Sequence, residues 1–163
     1  MASKQWVCLL HVFHPDKRRE DQKATWAALW AIEQYAAFPV VHWPTTGPDG
    51  YWQALEAVWG YAGPVVVLEQ DIVPSIWHID QLLRCGEEYC AWDFRLAHGV
   101  LWSTLEGGHG FGLAKFSVGR RGNIVPRPQV PHVPWPDTVP ALHERLAPVH
   151  VHTPPIEHHH GDA

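Results

Sequence analysis

The sequence predicts an α/β domain: a mostly parallel central sheet flanked by helices. Three observations carry this expectation. Short apolar runs alternate with stretches of helical spacing in the order β-α-β-α-β from the N-terminus. The run Val65-Val66-Val67-Leu68 is continuously apolar, as strands covered on both faces of a parallel sheet are. A chain of 163 residues is enough for one domain with a proper core, and no repeat or long linker divides it.

Each element has its own justification. Trp6 to Phe13 reads as a first buried strand, broken by His14-Pro15-Asp16. From Arg18 to Tyr35, Ala24, Trp26, Ala27, Leu29, Trp30 and Ile32 recur at helical spacing, ending before Pro39. Pro39 to Trp43 is a second strand, and the proline- and glycine-rich Pro44 to Gly50 is a loop. Tyr51 to Tyr61 is a second helix, closed by Gly63-Pro64 ahead of the third strand. Ser75 to Cys85 is a third helix, with Ser75 placed to cap it. Tyr89 to Phe94 is a fourth strand, and His98 to Ser103 a short one. Leu113 to Phe116 reads as one turn of helix, and Asp137 to Leu146 as a last helix. Ile124 to Pro136 is proline-rich and extended, and Val149 to His152 alternates like a strand. These assignments place the domain at 1–152 and a peripheral tail without periodicity at 153–163.

Composition narrows the function. Net charge is −5 with histidine neutral, and without a long basic run bulk charge does not imply nucleic acid. Lys115, Arg120, Arg121 and Arg127 share a segment free of acidic residues and are read as a phosphate-facing group or a solvated face. Three cysteines (Cys8, Cys85, Cys90) without regular spacing argue against a disulfide framework, with Cys8 read as core. No signal peptide or membrane span is read, so a cytoplasmic setting is expected. Ten tryptophans are many for this length; some must be core, the better reading for any single one, and an aromatic face can also stack on a sugar or base.

The chemistry centres on the end of the third strand. Glu69 and Asp71 follow the apolar run and are two apart, so in extended backbone they point the same way. The carboxyl ends of strands are where open α/β sheets hold ligands. Two carboxylates there suit a hard cation that in turn holds a diphosphate. The plain alternative is a strand that stops in a polar turn.

This Glu-x-Asp after a β-α-β-α stretch, followed by the glycine-rich Glu106 to Gly112 and the late Pro155-Ile156-Glu157-His158-His159-His160, resembles the GT-A-type nucleotide-sugar glycosyltransferases. The resemblance covers most of the chain. It implies a single GT-A-like, Rossmann-like domain that moves a sugar from a nucleotide diphosphate sugar to an unidentified acceptor, with Mn2+ or Mg2+. It implies Asp71, Glu69 and a late histidine as the metal set, His158 ahead of His152 or His160, with Glu69 serving as a ligand or as a contact to ribose or a ligating water. The nucleoside is expected over the first two strands, near Phe13, His14, Pro15, Arg18 and Thr45, with Gln70 on the donor side. Gly107, Gly108, His109, Gly110 and Trp135 are expected on the acceptor side. Asp137 is the expected base, with Glu106 and Asp93 as competitors. The acceptor is unidentified; with so small a domain, either the acceptor site is open or the acceptor is large and brings its own surface, and a nucleic-acid acceptor is among the alternatives. A metal-dependent hydrolase or nucleotidyltransferase would use the same carboxylates and histidines, and a carbohydrate-binding module would use the tryptophans instead. The late histidines could also build a zinc site, although no Cys-x-x-Cys accompanies them.

Overall fold

The computed structural model describes residues 7–15, 19–35, 40–46, 49–95, 101–102, 111–122, 124, 126, 142 and 144–158. Strands β1 (Cys8–Phe13), β2 (Val40–Pro44) and β3 (Val65–Glu69) alternate with helices α1 (Arg19–Tyr35) and α2 (Gly50–Trp59). There follow β4 (Ile72–Val73), α3 (Ile76–Arg84), β5 (Tyr89–Arg95), β6 (Leu101–Trp102), β7 (Leu113–Phe116), α4 (Val118–Arg121) and β8 (His150–His158). The strands lie in the order β2-β1-β3-β7-β5-β8-β4, with β6 paired to β5. This is a Rossmann-like α/β domain. β1 pairs in parallel with both β2 and β3, and β5 with β8, while β7 runs antiparallel between β3 and β5.

Alternation along the strands makes two apolar layers. Cys8, Leu10, Val12, Val65, Val67, Tyr89 and Ala91 face α2, whose Trp52, Leu55 and Val58 cover them. Val7, Leu9, Val66, Leu68, Cys90 and Trp92 face Leu29 and Ile32 of α1 and Ile79 and Leu82 of α3. α3 starts as the sequence implies. Ser75 accepts the His78 N–H at 3.3 Å, and His78 Nδ1 accepts the Ser75 N–H at 3.0 Å.

Two readings need correction. Leu113 to Phe116 is a strand, not a helical turn: all four residues are buried, and β3 and β5 supply its hydrogen-bonding partners on both sides. Four residues carry too little periodicity to separate the two states, and the neighbouring strands decided. The segment beyond His152 is not peripheral up to residue 158. β8 continues through it, Ile156 is 2% exposed in the core, and Ile72 of β4 pairs with His158. Cys8 is buried as expected, and Trp52 and Trp92 are core, whereas Trp30 and Trp77 are exposed. Among the described residues no helix is long and apolar enough to cross a membrane.

Candidate functional site at the sheet switch point

The chain leaves β1 for β2 on one side and returns to β3 on the other. Between the carboxyl ends of β1 and β3 the sheet therefore opens a crevice, the usual ligand position in such folds. Phe13 ends β1 there, and the Gln70-Asp71 turn follows β3 there. Gln70 ties the two together. Its Oε1 accepts the His14 N–H at 2.7 Å, and the buried Gln22 of α1 donates to the His14 carbonyl at 3.0 Å. Thr45, after β2, bonds the Phe13 carbonyl through its N–H at 2.8 Å and its hydroxyl at 3.1 Å. Four residues expected on the donor side, Phe13, His14, Thr45 and Gln70, thus share one hydrogen-bonded rim. Pro15 is exposed beside them.

Glu69 turns onto the α2 side, level with Val65 and Val67. Its carboxylate accepts the Gly112 N–H and a bond from the Tyr51 hydroxyl, while its own N–H donates to the Gly112 carbonyl at 2.8 Å. Burial and, to a lesser degree, the Asp71 charge push its pKa up to about 7, against the backbone N–H groups of Gly112 and Phe111. Tyr51 is raised well above its ordinary value by burial and then by the charge of Glu69. Glu69 and Tyr51 thus sit in the negative potential of neighbouring carboxylates, which a cation would offset.

Gly112 has a reason to be glycine. Its φ is +62°, and a Cβ there would come within 2.7 Å of the Phe94 ring. Position 158 is the other contribution to this edge: its backbone pairs with Ile72, the residue after Asp71. Arg18, Glu106, Gly107, Gly108, His109, Gly110, Trp135 and Asp137 lie outside the described residues, as does the His158 side chain. Asp93 is half-buried in β5.

Among its described residues the basic segment does not form a phosphate-facing group, which corrects the sequence reading for Lys115, Arg120 and Arg121. Lys115 donates to the Cys85 carbonyl at 2.7 Å. Arg120 bonds the Leu146 carbonyl at 2.9 Å and pairs with Glu88 at 3.4 Å. Arg121, 2% exposed, clamps the carbonyls of Trp59, Tyr61 and Gly63. Arg127 lies outside the described residues. Charge counting along the chain misses this because the guanidinium's fork is satisfied by backbone carbonyls. Tyr51 and Gln22 were not singled out from the sequence. Each stands in a helix, where its type alone marks no role.

No family model matches the chain, and no curated protein matches it. Among solved structures it is similar to 4-diphosphocytidyl-2C-methyl-D-erythritol synthase from Anaerococcus prevotii, with 8% identity and a TM-score of 0.49 over 90% of this chain and 88% of that one.

Proposed function

We propose that the chain is a metal-dependent transferase that takes a nucleotide diphosphate sugar as donor, with the diphosphate at the β1/β3 crevice. The observation that carries the reading is the placement of the Asp71 turn. It sits at the switch point, tied through Gln70 to His14, with the backbone of position 158 brought alongside. The donor set fits a hard dication: Asp71 offers carboxylate oxygen, and its negative charge pushes up the pKa of both Glu69 and Tyr51. Asp71 and His158 would hold the ion, and Glu69, already engaged by Gly112 and Tyr51, would position the turn. Bound Mn2+ or Mg2+ would act as a Lewis acid on the leaving diphosphate. The rim of Phe13, His14 and Thr45 would orient the nucleoside and exclude water from one side. The acceptor proton would pass to Asp137 or Glu106.

The test is calorimetric titration with UDP, GDP and CDP, with and without Mn2+, on the parent chain and Asp71→Asn. The variant keeps size and removes one charge facing the cation. Its metal-dependent affinity is expected to fall by about tenfold or more. Equal metal-dependent affinity in both proteins overturns the assignment. Product analysis with the preferred nucleotide sugar then separates the chemistry: glycosyl transfer releases the nucleoside diphosphate, whereas nucleotidyl transfer makes or consumes pyrophosphate.

A further inference from the structure

A second group of ligand-bearing side chains forms at the other end of the sheet, where α3, β5 and β8 meet. Cys85 caps the C-terminus of α3, its N–H closing on the Gln81 and Leu82 carbonyls at 3.0 and 3.3 Å. β8 lies parallel to β5, with His150 against Cys90 and His152 against Trp92. Cys90 and Trp92 pack on α3, so both histidines share that face. One thiol and two imidazoles result, with ligand atoms all within 4.8 Å of one another.

We propose that Cys85, His150 and His152 bind a zinc ion, the fourth position being left to water or a small ligand. The donor chemistry selects the metal. One thiolate with two imidazoles suits zinc and rejects magnesium and manganese, which prefer oxygen. At tetrahedral zinc, bond lengths of about 2.0–2.3 Å put donors roughly 3.3–3.7 Å apart. Closing from within 4.8 Å shortens any donor–donor distance by about 1.5 Å at most. His150 is exposed, and Cys85 and His152 are half-buried, so rotation of these side chains can supply it. His152 Nε2 is buried and has no hydrogen-bond partner among the described residues. A bond to a metal gives such a nitrogen the partner that buried polar atoms require. The C-terminus of α3 adds the negative end of its dipole beside the cation. Lys115, bonded to the Cys85 carbonyl, acts both ways: its charge favours the thiolate and opposes the metal. Cys90 lies against Cys85 but is not one of the three clustered donors: it is buried, with its thiol directed at the Leu82 carbonyl, 3.8 Å away.

Cobalt titration of the full chain under reducing conditions tests the site. The parent is expected to take up one Co2+ with a thiolate-to-cobalt charge-transfer band and tetrahedral d–d bands, both removed by one equivalent of zinc. Cys85→Ser is expected to lose the charge-transfer band and to weaken zinc binding by about tenfold or more. His150→Asn is exposed, tests the same site without touching the core, and should show the same loss of affinity. Cys90→Ala should keep the band, and so should the combined His158→Asn, His159→Asn and His160→Asn variant, which removes the late histidines. Zinc should raise the melting temperature of the parent and not that of Cys85→Ser. Three results each overturn the proposal: no band in the parent with excess cobalt, a band that survives Cys85→Ser, or a band abolished by the late-histidine variant alone. None of these readouts depends on nucleotide binding, so the zinc site and the proposed transferase stand or fall separately.

Discussion

At the scale of single residues, Gly112 shows how one position can serve both backbone and site. It immediately precedes β7, holds a left-handed φ, and gives its N–H to the Glu69 carboxylate. A methyl at this position meets the Phe94 ring and a strained backbone together. Gly112→Ala is expected to lower stability by about 2–4 kcal/mol, combining the left-handed penalty with overpacking. Urea denaturation measures it, and an unchanged midpoint would show that the Phe94 ring yields without cost. Glycine density along 107–112 marked this stretch as a loop that approaches something closely. That position 112 has no room for a Cβ depends on Phe94, which is far away in sequence.

At the scale of elements, β8 decides how the last part of the chain is bound. It pairs with β5 from His150 as far as Ile156, and its last two residues pair with β4. Ile156 lies in the layer that covers α1 and α3. Ending the chain before Ile156 removes a buried side chain and the only described partner strand of β4. A loss of about 3 kcal/mol or more is expected from the cavity and the broken pairing. Chemical denaturation with circular dichroism checks it: a truncated chain as stable as the parent would place 156–158 outside the folding unit. The alternation in Val149 to His152 made the start of this strand legible. Pro154 and Pro155 hid its continuation, because proline is read as a strand breaker. The short β7 was misread for the opposite reason, since nothing in Leu-Ala-Lys-Phe opposes a helix.

At the scale of the whole molecule, the two faces of the sheet respond oppositely to pH. Glu69, on the α2 face, has its pKa raised from 4.5 to about 7. Between these values the folded chain holds a proton that the unfolded chain releases, so stability falls as pH rises through this window. His11, buried on the α1 face, has its pKa lowered from 6.5 to about 3, first by burial and then by His42. Here the unfolded chain binds the extra proton, so stability is lost as pH falls from 6.5 towards 3. The two slopes offset each other between pH 4.5 and 6.5. Glu69→Gln removes one of them. The variant is expected to gain on the parent as pH rises from 4 to 8, by at most about 3 kcal/mol. Thermal melts of both proteins across this range, with chelator present, test it. A difference that does not change with pH would mean that Glu69 ionises normally in the folded chain.

The sequence by itself determined the alternation of strands and helices, the buried β3, the capped start of α3 and the acidic turn that ends β3. These rest on local periodicity and on side chains acting within a few residues, and such information lies along the chain. Only the tertiary structure decided that β7 is a strand, that Arg121 is a clamp for backbone carbonyls, and that Glu69 turns inwards onto Gly112 and Tyr51. It alone brought Cys85 to His150 and His152, and position 158 to the Asp71 turn. Each of these is a pairing between distant segments. Such a pairing is set by strand register and by what happens to lie across the sheet, and no local pattern encodes either.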